Sequence, residues 1–362
     1  MSCEVAIGAT DPFGAVHDTA VERVNPVVDP RWDAELANVE GSTFFHGSAW
    51  ARVLVETYGF KPVYFLQRQA DRIQALLPMM EIDSWLTGRR GVSLPFTDEC
   101  APLFDDPAFF RRVLTEALDY AKLRKWDYAE FRGGLAEFDG APASASFLGH
   151  SLDLRGGEAA LFNQIASSAR RAVRKAEASG MRIETSSGLD AVHTFYGLFC
   201  KTRRRHGAPP QPRSFFESIH RNILARGLGS VFLAWHGKVP IAGAVYFHFG
   251  RKVLYKFGAS DEGFNHLRAN NLVFWEAIRH YSRDSFEVLD FGRTSLTNVG
   301  LQKFKLSWGA SERRIDYVRQ NCRTGGYAIV GDISGGWQSK LLGMVPDPLF
   351  KLVGSALYKH IA

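Results

Sequence analysis

The residues best placed to do chemistry lie close together near the C-terminal end of the chain. Asp290-Phe-Gly-Arg293 closes an apolar run that starts at Phe286, and a polar turn, Thr294 to Asn298, follows it. Then comes Gly300-Leu-Gln-Lys-Phe-Lys-Leu-Ser-Trp-Gly309, with Lys303 and Lys305 flanking Phe304. Cations at the mouth of a buried strand are where a protein stabilises an anion, whether phosphate, carboxylate or oxyanion. Charge alone is also compatible with a solvated basic edge. Residues 300–309 are read as a second amphipathic strand, with Lys303 and Lys305 on one face. Asp290 could take a proton or pin Arg293, and the ion pair is preferred for a carboxylate three residues before an arginine at a strand end.

Further cations fall in two clusters. On a helix of period 3.6, Arg170, Arg171, Arg174 and Lys175 fall within about 140°, opposite Leu161, Ile165, Ala169, Ala172 and Ala176. Charge runs on helices are commonly solvated faces, but these cations lack i,i+4 acidic partners, so a polyanionic ligand is the alternative. Arg203-Arg-Arg-His206 ends another apolar-striped segment, where cations also favour the helix dipole. Pro209-Pro210-Gln-Pro212 stiffens the loop beyond it. Tyr255 lies on a strand, where a tyrosine is more often core than ligand. His206, His248 and His266 are spare candidates for a base.

Composition removes several classes. A chain of 362 residues can bury two sizeable cores, and 46% hydrophobic with 23% charged residues is ordinary for a folded soluble protein. Aromatic content of 13%, with 27 Phe, suggests aromatic-lined sheet. The net charge of +6 is modest, and its placement says more than its size. Cys3, Cys100, Cys200 and Cys322 are far apart and show no metal-ligand spacing, so neither a metal site nor a disulfide framework is expected. Residues 1–18 have no apolar signal-peptide core, and no run of about 18 apolar residues predicts a membrane span. A cytoplasmic protein is expected.

The elements that must position these residues repeat. Val63–Ile73 with Ala75–Ile82, and Val231–Ile241 with Ala242–Phe249, read as hairpins. A helix precedes each, Ser48–Tyr58 stopped by Gly59 and Leu189–His206. A helix and a strand follow each: Pro107–Lys125 then Tyr128–Gly133, and Asn270–Arg283 then Val288–Arg293. The order recurs after about 165 residues, which predicts a duplicated α/β unit. The expected division is an N-terminal extension over 1–30, a first domain over 31–150, a second over 151–320 carrying the motifs, and a tail over 321–362. The linker is placed at Gly140–Ser146, and a cleft is expected between the halves.

Helix, antiparallel hairpin, helix, strand is the order of the GNAT acyltransferase fold. The α+β class with two tandem GNAT-like domains, each a mixed sheet flanked by helices, is therefore expected. Ser168-Ala-Arg-Arg-Ala-Val-Arg-Lys-Ala-Glu177, Thr202-Arg-Arg-Arg-His-Gly207, Asp290-Phe-Gly-Arg293 and Phe304-Lys-Leu-Ser-Trp-Gly309 resemble the FemAB-like transferases. The nearest resemblance is to FemAB-related proteins of bacterial envelope and exopolysaccharide systems, over about Ala159 to Gly309. It implies transfer of an activated acyl group to an amine. In better-known members the donor is an aminoacyl-tRNA and the acceptor a peptidoglycan precursor. There a lysine after an aromatic residue, as in Phe304-Lys305, sits at the reacting ester. Arg205 matches the arginine of the family's Thr-x-x-Arg-x-Gly pattern and is assigned to an acceptor phosphate or carboxylate.

Acetyl-CoA members of the fold carry a glycine pair ahead of a helix whose amides cradle the pyrophosphate. Here the corresponding stretch is Gly263-Phe-Asn-His-Leu-Arg-Ala-Asn-Asn271, without that pair, although Arg268 and the helix start at Asn270 could hold a phosphate. The donor stays open among aminoacyl-tRNA, acyl-CoA and acyl-carrier protein, and no permanently bound cofactor is expected. Aminolysis needs an unprotonated amine, a positioned carbonyl and charge relief at the tetrahedral oxygen. No Ser/His/Asp order or Cys with a His partner argues for a covalent intermediate, so direct attack fits better. Lys305, Phe304, Asp290 and Arg293 are the expected catalytic group. Arg205, Tyr255, Arg171, Arg174, Lys175, Arg268 and Asn270 are the expected binding group. The rival functions are acyl-CoA or acyl-carrier-protein dependent N-acyl transfer and a non-catalytic basic adaptor for RNA or polyanionic glycan precursors. In the tail, Leu349, Phe350, Val353, Leu357 and Ile361 form an apolar stripe starting after Pro346 and Pro348, beside Lys351, Lys359 and His360. Docking onto the protein's own surface is the default, with peripheral attachment to an anionic membrane, suited to a nucleotide- or lipid-linked precursor, as the alternative.

Overall fold

The computed structural model describes residues 20–69, 72–331 and 347–361. Cys3, Pro346, the turn at Ala70-Asp71 and the first 19 residues of the expected extension lie outside the described residues. Most predicted elements form for the reasons read from their residues. The Ser48–Tyr58 helix buries Trp50, Val53 and Leu54. It stops at Gly59, whose φ of 71° costs no Cβ clash and whose N–H returns to the Val55 carbonyl. Asp106 caps the Pro107–Leu123 helix by accepting from Ala108 N at 2.6 Å, with Pro107 at the first helical position. The second-half helices run Leu189–Arg205 and Ala269–Arg283.

Two local expectations are corrected. The first hairpin pairs Tyr64–Gln69 with Arg72–Leu77, but its second strand does not continue to Ile82. Pro78 has no N–H to give the ladder, so the chain leaves one sheet there and Met80–Ser84 joins another. Residues Val299–Leu306 form a helix, not a strand. The Asn298 side chain caps it by accepting from Leu301 N at 3.1 Å, and Phe304 meets Trp308 one turn on, ring centroids 6.0 Å apart. Helical geometry sends Lys303 to solvent and Lys305 inward, so the two lysines do not share a face.

The duplicated halves do not keep separate sheets. Eleven strands join in one sheet. From one edge they are Arg182–Ser186, Gly229–His236, Val239–Phe249, Lys252–Ser260, Val288–Ser295, Ala145–Asp153, Ser311–Asn321, Tyr128–Arg132, Gly88–Val92, Met80–Ser84 and Lys61–Pro62. Two strands make the joint. Ala145–Asp153 pairs with Val288–Ser295 on one side and with Ser311–Asn321 on the other. Ser311–Asn321 in turn pairs with Tyr128–Arg132 of the first half. A four-stranded sheet holds the first hairpin, flanked by Glu22–Val24 and Leu103–Phe104. Each half still has its own apolar core, one around Trp275, Trp308 and Phe291 and one around Trp126, Phe110 and Phe131. A third core is shared, packing Trp50 and Leu54 against Phe195, Phe215 and Phe247.

The tail docks on the protein. Its Asp347–Leu357 helix buries Phe350, and a Cβ on Gly354 would fall 2.1 Å from the Pro210 carbonyl oxygen, so the backbones touch. Val353 and Leu357 are half-covered, so Phe350, Val353 and Leu357 of the predicted stripe face the protein, whereas Ile361 at its end is exposed.

Candidate functional site

Lys252–Ser260 and Val288–Ser295 run parallel but are paired only from Lys252–Leu254 against Val288–Asp290. Beyond Leu254 and Asp290 the strands part. Along the freed half of Lys252–Ser260 opens a groove of about 520 Å³, lined by Arg205, Tyr255, Lys256, Asn270 and Phe304 among others. Four residues singled out in sequence, Arg205, Tyr255, Asn270 and Phe304, therefore meet in one place although they come from two helix ends, a strand and a third helix. Gly258 makes room for one of them, since a Cβ there would lie 1.8 Å from the Tyr255 hydroxyl. Burial pushes that phenol well above its ordinary range, so it stays protonated and can donate a hydrogen bond.

A second groove of about 490 Å³ adjoins the first through Asn271 and Phe304, and Arg171, Lys175 and Arg268 line it. A smaller one, about 180 Å³, lies over the start of the Ala269–Arg283 helix, with Arg268, Asn270 and Asn271 in its wall. Arg268 adopts the left-handed conformation (φ 62°), so this turn is made without the glycine pair. The start of a 15-residue helix with no side-chain cap, and with Arg268, Arg171 and Lys175 nearby, suits a phosphate-bearing group. Arg174 departs from the expected stripe: its guanidinium lies over the Phe162 ring at 5.6 Å, and it lines none of these grooves. Leu161 and Ile165 are buried with Ala169 and Ala176, but the Gly157–Gln164 helix ends before the Ser167–Glu177 helix begins.

Phe304 and Lys305 part company. Phe304 faces both grooves, whereas Lys305 is 2% exposed and lines neither. Its ammonium donates to the Gly292 carbonyl at 2.8 Å and the Arg293 carbonyl at 3.1 Å, at the point where the register shifts. Burial lowers the Lys305 pKa to about 8, against the opposing pull of Asp98 and Asp290. The expected Asp290–Arg293 ion pair does not form. Asp290 accepts from Gly292 N at 2.6 Å, because the register shifts between Asp290 and Arg293 and Gly292 turns into the left-handed region (φ 68°). Burial raises the Asp290 carboxyl to about 6, and neighbouring Asp98 and Glu99 add to the rise. Arg293 instead donates to the Tyr317 hydroxyl at 2.7 Å, stacks over Phe147 at 4.2 Å, and lies 4.0 Å from Asp98.

Several residues of this site carried no signal in the sequence. Asp98, from the first half, sits 3.4 Å from the Lys256 ammonium and beneath Arg293. Burial would raise its carboxyl, but Lys256, Arg293 and Lys305 together hold it below the ordinary range. Lys256 is itself lowered by burial and rests over the Phe45 and Trp50 rings at 4.9 and 5.3 Å, also first-half residues. A cavity of about 110 Å³ lies at this joint, with Asp98, Glu99 and Phe45 on one side and Lys252, Leu254 and Asp290 on the other. Its missed members come from both halves, Asp98 and Glu99 from the first and Lys252 and Arg313 from the second, while Lys256 of the adjoining groove sits beside Tyr255 on a strand already of interest. Of the spare histidines, His206 lines the large groove, and burial, then Arg205 and Arg203, keep it below its usual range. His248 binds the Gly227 carbonyl at 2.7 Å. Among the described residues no group of three or more His, Cys, Asp or Glu side chains is placed to hold a metal ion, and no helix is long and apolar enough to cross a membrane.

The profile of the GNAT acetyltransferase domain matches residues 164–306, a span that runs from just before the basic helix to the helix of Lys305. Among solved structures the chain is similar to FemX, with a TM-score of 0.66 at 15% identity over 79% of this chain and 94% of that one. It is similar also to L-PGS from Bacillus licheniformis, with a TM-score of 0.54 at 12% identity over 92% and 99% of the two chains. A tandem GNAT protein from the clavulanic acid biosynthesis pathway gives 0.54 at 10% identity over 83% and 98%. No curated protein matches the chain in sequence. At these identities the structural likeness establishes the fold, two tandem GNAT-like units.

Proposed function

From the premise that this chain carries a GNAT-type acyltransferase domain within a tandem GNAT fold, we propose that it forms an amide by direct attack of an amine on an activated acyl ester. The acceptor proposed is an amine-bearing precursor of the envelope or an exopolysaccharide, linked to a nucleotide or a lipid. The observation that carries this is the single groove where the strands part, which gathers Arg205, Tyr255, Asn270 and Phe304 and opens onto Arg171, Lys175 and Arg268. A cationic groove with an aromatic wall suits a phosphate-rich donor or acceptor better than an uncharged one. FemX and L-PGS, as structural neighbours, support an aminoacyl donor, and acyl-CoA or acyl-carrier protein are the competing donors.

In this scheme Asp290 removes the proton. An ammonium acceptor bound near it loses H⁺ to the carboxylate, the freed nitrogen attacks the ester carbonyl, and the C–O bond to the donor's alcohol breaks. The protonated Asp290 gives its proton to the departing alkoxide, and the second proton, lost from the nitrogen as the amide forms, is released to water, so Asp290 ends as the carboxylate. A carboxyl near pKa 6, with no cation in ion-pair contact among the described residues although Arg313 and Lys305 stand near, is better suited to proton transfer than an ordinary aspartate. Lys305 is proposed to relieve the negative charge on the tetrahedral oxygen. Two of its three donors hold the Gly292 and Arg293 carbonyls, and because Lys305 lines neither groove its charge is proposed to act through this backbone. The decisive experiment offers the purified protein charged tRNA, acyl-CoA and acyl-carrier protein separately, each with an amine acceptor. Transfer from charged tRNA is expected. Micromolar binding of acyl-CoA and none of charged tRNA would reverse the order of donors. Nucleic-acid binding with a steep salt slope and no turnover would favour a non-catalytic adaptor.

A further inference from the structure

Three exposed apolar side chains, one of them the most exposed large apolar group among the described residues, lie at one hairpin tip. Trp85 and Leu86 lie in the turn between Met80–Ser84 and Gly88–Val92, 85% and 53% exposed. The end of the tail is fastened to the same tip. Ser84 Oγ meets His360 Nδ1 at 2.8 Å, and the His360 carbonyl accepts from Thr87 Oγ1 at 2.7 Å and from buried Arg90 at 2.6 Å. The Trp85 ring stands edge-on to His360 at 5.6 Å. These contacts fix Ile361, 50% exposed, beside Trp85 and Leu86, and Lys359 is exposed next to it without a carboxylate partner among the described residues.

We infer that Trp85, Leu86 and Ile361 form a docking point for an anionic lipid bilayer. The shape favours a bilayer over a folded partner: the apolar groups crown a three-residue turn, Trp85 to Thr87, instead of lining a groove or a flat face. A tryptophan with an apolar body and a polar N–H, flanked by leucine and isoleucine, suits the headgroup boundary. Charge complementarity gives the lipid its sign. The tail that ends at the tip also contacts the basic mouth of the large groove, where Arg203 donates to Tyr358 Oη at 2.8 Å and Arg205 is exposed. Cations on the tail and on the helix end that it contacts are drawn to acidic headgroups. Docking there would hold the groove close to the membrane surface. This part rests on the acyl-transfer proposal and would favour a lipid-linked acceptor over a nucleotide-linked one.

The test uses the full chain and vesicles of phosphatidylcholine alone or mixed with phosphatidylglycerol. Co-sedimentation with the mixed vesicles only, weakened by salt, is expected. The triple variant Trp85→Ser, Leu86→Ser, Ile361→Ser should bind about tenfold or more weakly, since each change removes apolar surface that the lipid would cover. Its melting temperature should not move, because these side chains are solvent-exposed in the free protein. Lys359→Glu should weaken binding about fivefold, as expected for a cation near an anionic surface. Equal binding by wild type and triple variant, or no binding to either vesicle, would overturn the inference. So would a concentration-dependent dimer that the triple variant abolishes, since the tip would then join two copies. Vesicle binding without turnover on any donor would count against the acyl-transfer proposal and leave the docking point standing.

Discussion

The large groove and the small joint cavity share a wall, the Lys256–Asp98 pair, yet they are built differently. The groove takes its polar residues from the second half and is cationic. The cavity draws Asp98 and Glu99 from the first half and Asp290, Lys252 and Arg313 from the second, so three carboxylates face two cations. Long, exposed cations need no special fold to stay charged, whereas buried carboxylates keep charge only beside partners placed by packing. On the proposed function the groove recruits the substrates, and the joint is where burial and neighbouring charges shift the carboxyls. Mutations on the two sides should fail differently.

The largest effect is expected at the joint. Asp290→Asn should lower turnover by about 10²–10⁴, the usual loss of a general base, with little change in substrate affinity. Wild-type kcat/KM should follow a bell with limbs near pH 6 and pH 8, set by Asp290 and Lys305, and the variant should lack the acidic limb. Stability should move the other way. Because the folded carboxyl is raised, its stabilising contribution is complete below about pH 4 and is lost as pH rises through about 6. Asp290→Asn should therefore melt a few degrees higher than wild type at pH 7.5, and the gap should close near pH 4. A variant that loses turnover and melts lower would mark Asp290 as a scaffold.

Next in size is Lys305. Lys305→Ala should cut kcat about 10²–10³-fold, as for one preorganised oxyanion donor, and Lys305→Arg should rescue poorly because a planar fork cannot replace a compact ammonium. The buried site also predicts a lower melting temperature, from the Gly292 and Arg293 carbonyls left without donors. If Lys305→Met restored stability but not turnover, the two roles would be separated. Lys303→Ala is the control: exposed on the opposite side of its helix, it should change kcat less than about twofold, in line with a surface substitution.

Groove mutations should act through binding. Arg205→Ala should raise the acceptor KM about 10–100-fold while kcat holds, the loss of one charge-assisted contact. The smallest contrast separates neighbours on one helix. Arg171→Glu with Lys175→Glu should weaken donor binding severalfold at low salt and flatten its salt dependence. Arg174→Glu should do less, because Arg174 is turned onto Phe162 and away from the groove. Equal effects at all three positions would reduce the second groove to a diffuse basic face.

Sequence by itself determined what depends on near neighbours along the chain. Helix ends were readable where one residue type sets the backbone, as at Gly59 and Asp106, and the repeated order of elements gave the tandem fold. The groove residues Arg205, Tyr255, Phe304 and Asn270 were readable because the motifs that carry them are local. Where two local signals competed, pattern misled. Lys303-Phe-Lys305 alternates like a strand, but the Asn298 cap and the Phe304–Trp308 contact favour a helix. Tertiary structure alone decided the rest. Exchange of Ala145–Asp153 and Ser311–Asn321 between the halves joins their sheets, and no local spacing encodes which distant edge a strand will pair with. The same joint brings Asp98 to Lys256 and Arg293 and releases Asp290 from the ion pair that spacing suggested. A proton's affinity depends on the water excluded and the charges within a few ångströms, and in this protein both are supplied by residues far apart in the chain.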